Sequence, residues 1–247
     1  PENDAEWDFN PLVRYSEKTP YANSRALSYA LLKKELAELK IKRNRYRWYS
    51  GPLTVNAFHS STDNKFLMPL GILQYPFYDP ALSEEVNLGA IGAVVGHELG
   101  HGIDDQGSLY DFEGKQTQWL TAGDLAEFKK RSSKMATQFT QAGFNGALTL
   151  GENIGDLVGI SFAYRAAFPD GKGDIEAKRA FFLQFARAWC NVVRPAYREL
   201  MVKVDPHAAG EARVNEQMKH QQGFIEAYQC KQGDKMYLPE AEQIKIW

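Results

Sequence analysis

"GHELGHGIDDQG", residues 96–107, sets two of the chain's five histidines four positions apart, with a glutamate directly after the first. On a helix, side chains at i and i+4 point to one side about a turn apart. His97 and His101 can therefore share one Zn2+ at about 2.0–2.1 Å each. Glu98 then lies beside the metal's open position rather than on it. This is the HExxH arrangement, in which the glutamate is the general base toward the attacking water. The preceding "AIGAVV" is apolar, and buried histidines need partners, so a pair of unrelated surface histidines is a poor account of the segment.

A catalytic zinc needs a third protein ligand. "GENIGD" (151–156) offers Glu152 and Asp156, four apart on a largely apolar helix, where carboxylates are rare unless paired or metal-bound. Glu152 is the expected ligand, and Asp156 the acceptor for a ligand histidine's other N–H. Asp104, three residues after His101 and seven after His97, is expected on the same helix face, orienting the other histidine.

Outward from this centre the pattern is helical. Residues 83–105 read as one long buried helix, whose glycines permit close approach by a neighbour. "TAGDLAEFKKRSSKMATQF" (121–139) reads as a helix with Thr121 as N-cap. Further helices are expected from the "LTLGENIGDLVG" segment to about 168 and over 174–193, with a loop feeding a last helix before Cys230. Upstream, 21–40 has apolar residues at helical spacing and predicts an amphipathic helix. "LTVNAFH" (53–59) and "KFLMPLGIL" (65–73) predict a short hairpin, with Pro69 at an edge or irregular position. Residues 1–20 read as an irregular lead-in without a secretory signal as given, consistent with a mature protein, a proteolytic product or an expressed domain. The fold class is mainly α (α+β).

The 247 residues carry a formal net charge of −2, with 44% hydrophobic and 24% charged residues, an ordinary globular mix. No basic stripe invites nucleic acid. No apolar run approaches the 18 or so residues of a membrane span. Cys190 and Cys230 could pair with each other, stay free, or bond to residues outside this chain.

Several segments follow in an order and spacing that resemble the catalytic half of the neprilysin family of zinc endopeptidases. They are "VNAF", "GHELGHGIDDQG", "TLGENIGDLVG", "FFLQFARAWC", "DPHAAGEARVNE" and the terminal Trp247. The resemblance runs from about residue 21 onward and implies a zincin-like metalloprotease catalytic domain over 21–247, with the family's N-terminal helical lobe absent. It implies His97, His101 and Glu152 as ligands of one zinc, Glu98 as catalytic base, and Asp104 and Asp156 as the aspartates behind the ligands. His207 resembles the family's transition-state stabiliser and Arg213 its substrate-carbonyl ligand. Asn56 and Ala57 resemble the residues that hold an oligopeptide as an added strand. His59 stands where the motif usually carries an aromatic; it and His220 receive no support from the resemblance, and His220 reads as an exposed helix residue. Ile244 replaces a family cysteine, so one local disulfide is expected to be missing. Cys190 and Cys230 match cysteines that bond to the N-terminal lobe, which implies an exported or outward-facing protein. Two rival readings are a zinc-stabilised peptide-binding module without turnover and a metal-free helical interaction domain.

Overall fold

The computed structural model describes residues 15–41 and 44–247; the first fourteen residues of the expected lead-in lie outside the described residues. The chain divides into two compact units, Pro1–Gly51 and Pro52–Trp247. In the first, helix α1 (Pro20–Glu38) starts with proline in its first turn, where a missing N–H costs nothing. None of its residues is buried, so the expected helix forms without the expected amphipathic burial. Glu38 near its end is ion-paired to Arg47.

The second unit is mainly helical. Its one sheet is an antiparallel hairpin, β1 (Phe58–Ser60) and β2 (Lys65–Leu67), in the register His59 opposite Phe66. Both strands are shorter than the sequence pattern suggests. The Pro52 carbonyl accepts from the Gly71 amide, and the Leu53 and Thr54 backbone packs on Gly71. That segment is thus used against the 3-10 turn Leu70–Ile72 and not in a ladder.

The expected long helix over 83–105 runs unbroken from Glu84 to Gly100, with a π turn inside it. Ser83 caps α2 (Glu84–Asn87), a π turn covers Leu88–Gly92, and α3 (Ala93–Gly100) follows. It stops at His101 because the chain tightens there: Gly102 and Ile103 amides donate to the Leu99 and Gly100 carbonyls. Asp104 is therefore past the helix end and does not share its face, a correction to the sequence reading.

Helices α4 (Ala122–Gln141), α5 (Leu150–Ala167) and α6 (Ile175–Ala188) form close to expectation. Thr121 caps α4 and Asp174 caps α6, each accepting from first-turn amides. The segment after α6 holds three more helices: α7 (Pro195–Val204), α8 (Gly210–Met218) and α9 (Gln222–Tyr228). The sequence pattern had suggested a loop and one last helix from Val204 onward, and nothing for α7.

Helix α5 is central and buried over most of its length. An aromatic core of Phe168, Phe181, Phe182 and Tyr164 packs α5 against α6, each fully buried Phe contributing roughly 1.5–3 kcal/mol. A second cluster joins α4, α5 and α8 to the C-terminal Ile244 and Ile246. Against its other face lies α3. A Cβ on Gly96 would stand 2.8 Å from the Gly159 backbone, and one on Gly159 would stand 2.5 Å from the Ala93 carbonyl oxygen and 2.7 Å from the His97 amide nitrogen. The expected close approach is thus made, glycine against glycine.

Gly159→Ala should lower stability by about 1–3 kcal/mol, because the methyl meets backbone that cannot step aside. Gly123→Ala, where the nearest atom to the new Cβ is the Thr121 hydroxyl at 3.8 Å, should be neutral or stabilise by about 0.5 kcal/mol. Urea-unfolding midpoints of the two variants separate these expectations.

Candidate metal centre and cleft

The α3–α5 crossing lays the HELGH segment over the first turns of α5. Glu152 Oε2 is 3.2 Å from His97 Nε2 and 3.6 Å from His101 Nε2. One ligand atom from each of these three residues falls within 4.8 Å of the others. That spacing is close to what three bonds of about 2.0–2.2 Å to one ion require. Glu152 Oε2 is buried without a hydrogen bond of proper geometry, the state of a ligand atom arranged for an ion. The donor set, two imidazoles and a carboxylate, suits zinc.

Both histidines are oriented from behind. Asp156 Oδ1 accepts from His97 Nδ1–H at 2.9 Å, and Asp104 Oδ2 from His101 Nδ1–H at 2.7 Å. A carboxylate on Nδ1 fixes the tautomer that leaves the Nε2 lone pair facing the centre. Asp104 Oδ1 also accepts from the Gln106 and Gly107 amides at 2.8 and 2.7 Å. The turn after α3 therefore does what the helix-face argument assigned to the helix.

Asp156 is nearly inaccessible and serves a second partner. Arg213 donates to it through Nε at 2.8 Å and Nη2 at 2.7 Å. The Arg213 guanidinium lies 3.6 Å from the centroid of the Trp189 ring, a cation–π contact in a dry environment. Burial alone would raise the Asp156 pKa, yet the Arg213 charge holds it below the ordinary value. Burial likewise opposes the charged form of His97, but the Asp156 and Glu152 carboxylates bring its pKa up to about 9, so an ion at Nε2 would bind there by displacing a proton. Glu152 is pushed up by burial and then far down by His207 and His97.

Glu98 is buried, bonds to none of these groups, and lines the cleft beside them; burial raises its pKa. A poised carboxylate with no structural partner is what a general base requires. His207 arrives from the loop before α8. Its ring Nδ1–H and its backbone N–H both donate to Asp205 Oδ1, at 2.9 and 2.8 Å. Its Nε2 stands 3.1 Å from Glu152 Oε2, which raises its pKa.

These groups open into a cleft of about 790 Å³. Asn56 and Ala57 are on its wall just before β1, which among the described residues pairs in a sheet only with β2. All ten residues singled out in the sequence for this site thus meet in one cleft or directly behind it.

Other residues were missed. Asp205 orients His207, and Ile72, Phe77, Val94 and Trp189 form an apolar stretch of the cleft wall. An acidic residue two before a site histidine is the signal that could have found Asp205. Nothing in local spacing marks the apolar four. His59 also lines the cleft, with both ring nitrogens buried and unpartnered, and is no bystander on the surface.

A zinc-suited centre in a mainly helical unit defines a zincin-like metallopeptidase domain. The sequence of residues 56–244 matches the model for Peptidase family M13, and the chain belongs to that family. It is 35% identical to human neprilysin over 232 residues, covering 87% of this chain and 31% of neprilysin. It is also 35% identical to a neutral endopeptidase of Lactobacillus helveticus, over 94% of this chain and 36% of that protein. Among solved structures, an inhibitor complex of the Mycobacterium tuberculosis zinc metalloprotease Zmp1 superposes with a TM-score of 0.89 at 31% identity. That match covers 97% of this chain and 39% of Zmp1. PepO of Lactobacillus rhamnosis gives 0.83 at 30% identity, over 90% and 35% of the two chains. The chain spans about a third of the length of the curated relatives it matches. No helix among the described residues is long and apolar enough to cross a membrane.

Asp156→Asn keeps an acceptor for His97 but leaves the buried Arg213 charge uncompensated. Zinc affinity, read by competition with a chromophoric chelator, should weaken by about 10–100-fold. The unfolding free energy should fall by about 3–5 kcal/mol, the usual result of breaking a buried ion pair.

Proposed function

We propose that this chain is the catalytic domain, taken over 21–247, of a zinc endopeptidase that hydrolyses internal bonds of oligopeptides. The observation that carries the reading is Glu98: a buried carboxylate next to a three-residue ligand set but bonded to none of its members, in a cleft with a strand along its wall. A purely structural metal site has no use for such a group.

His97, His101 and Glu152 would hold zinc, which when bound would supply Lewis-acid polarisation of the scissile carbonyl and ease deprotonation of the attacking water. The peptide lies along β1 as an added strand, positioned by Asn56 and Ala57. Glu98 takes the proton of the water as its oxygen bonds to the carbonyl carbon. It then delivers that proton to the amide nitrogen as the C–N bond breaks, so water is divided between a new carboxyl and a new amine. His207 Nε2–H, held in place by Asp205, donates to the oxyanion that develops. Arg213, fixed by Asp156 and Trp189, retains Nη1 outside that ion pair for a substrate carbonyl. The apolar wall of Ile72, Phe77, Val94 and Trp189 favours an apolar side chain near the cleaved bond.

The protein's further partner is the N-terminal helical lobe, a reading supported by the share of the relatives' length that this chain leaves uncovered. Cys190, exposed, and Cys230, half-buried, are free among the described residues. Disulfides from them to that lobe would place the protein in an oxidising compartment, exported or facing outward.

The test is cleavage of an internally quenched peptide with and without a zinc chelator. Chelator-sensitive cutting between internal residues is expected. Glu98→Gln should keep stoichiometric zinc and lose about 10²–10⁴-fold in kcat, and His207→Phe about 10²–10³-fold. Full zinc content with no cutting by the wild type, even with the N-terminal lobe restored, would replace this reading with the zinc-stabilised peptide-binding domain.

A further inference from the structure

His220 has no place in the chemistry above, and it is not the exposed helix residue that the sequence suggested. It sits in the turn between α8 and α9 at 6% exposure, with both ring nitrogens bonded. The Ile244 amide donates to Nδ1 at 3.0 Å, and Nε2 lies 2.7 Å from Gln138 Oε1 of α4. An amide N–H can only donate and an amide oxygen can only accept. The ring is therefore neutral, with its proton on Nε2 and its lone pair on Nδ1.

The segment held in this way continues to the metal centre. Arg131 of α4 donates to the Lys245 and Ile246 carbonyls at 3.2 and 3.1 Å. Ile244 and Ile246 are buried in the α4–α5–α8 core. The Trp247 ring stacks on Phe128, with centroids 5.2 Å apart, and its indole N–H donates to the Ile103 carbonyl at 3.1 Å. Ile103 directly precedes Asp104, the carboxylate that orients His101.

We propose that His220 and Trp247 are positioning residues: His220 latches the 243–247 segment to the core, and that segment holds the turn that places Asp104 behind His101. The inference rests on the zinc reading only for its consequence at the metal; the latch itself is independent of it. The segment contains no cysteine and so no covalent cross-link to the core, and the hydrogen bond to His220 can be removed by one proton. An imidazolium carries N–H on both nitrogens and would face the Ile244 N–H with a second donor.

The charged groups around the ring leave that proton uncompensated. Glu216 and Lys219 of α8 are paired with each other, and Lys134 of α4 and Glu242 near the C-terminus lie along the same cleft with opposite signs. Burial dominates and brings the His220 pKa down from 6.5 to about 4. The closed state thus refuses a proton that the open state accepts. Between pH of about 6.5 and about 4, opening of the segment becomes more favourable by up to tenfold per pH unit as pH falls, with little change above or below.

The test is amide hydrogen exchange in the full chain, expressed as protection factors, at Ile244 for the latch and at Gln106 and Gly107 for the Asp104 turn. His220→Leu should reduce protection at all three by about tenfold or more, the usual consequence of deleting one partner of a buried bond. His220→Asn restores an acceptor and a donor without a titrating ring. It should recover protection at pH 7 and abolish the loss seen in the wild type between pH 6.5 and 4. Trp247→Phe keeps the stack and loses the indole donor, so protection should fall at 106 and 107 and persist at Ile244. Zinc dissociation constants should rise by up to about tenfold in His220→Leu and Trp247→Phe.

Unchanged Ile244 protection in His220→Leu would overturn the latch. Loss at Ile244 with none at 106 and 107 would overturn the connection to the metal turn. A wild type that binds no zinc would refute the metal reading and leave the exchange results to decide the latch on their own.

Discussion

The contact between the backbones of α3 and α5 is the constraint on which the site depends. Neither the HELGH segment nor the GENIGD segment can hold an ion alone, since each supplies one face of the ligand set. They meet at 3–4 Å only because Gly96, Gly155 and Gly159 remove the side chains that would otherwise separate the two helices. A Cβ on Gly155 would stand 2.9 Å from the His97 ring, so the same absence of bulk that allows the helices to cross also leaves room for the imidazole. The helical cost of these glycines, roughly 1 kcal/mol each relative to alanine in an exposed helix, is offset by burial of both helices along their contact.

What the sequence shows well is what one helical turn decides. His97, Glu98 and His101 are three neighbours on α3 and its cap, and Glu152 and Asp156 two neighbours on α5; their relative directions follow from 3.6 residues per turn. Thr121 was equally readable as a cap because capping is local. Asp104 is an instructive case. It reaches His101 as expected, but from a turn that accepts the Gln106 and Gly107 amides and not from a helix face. Helical periodicity yielded the partner and not the backbone that presents it.

Residues decided by distant chain were not legible in this way. His207 depends on the course of α7, which the pattern did not suggest, and only family resemblance drew attention to it. Trp189 lies at the end of α6 and meets Arg213 and Phe77 from two other parts of the chain. His220 was misread because its burial is created by Ile244, 24 positions further on, and by Gln138 from 82 positions before. A lone polar residue after a helix looks solvent-facing until the segment that covers it is placed.

The pair Asp156–Arg213 joins the two functional sides of the cleft. One carboxylate accepts the hydrogen bond of His97 Nδ1–H on one oxygen, and it accepts Arg213 Nη2 on that oxygen and Nε on its neighbour. The imidazole that would hold metal and the cation that would hold substrate thus share an acceptor from which water is excluded. Buried charges in this geometry resist independent movement, because displacing either donor leaves the carboxylate short of compensation in a medium where that is costly. Trp189 closes the guanidinium's face, so its planar fork is held in orientation as well as in place. The arrangement therefore fixes the distance between the candidate metal centre and the position at which Arg213 would meet a substrate carbonyl under the proposed function. That is the structural form of preorganisation: donors set in advance where charge will develop need no rearrangement when it does.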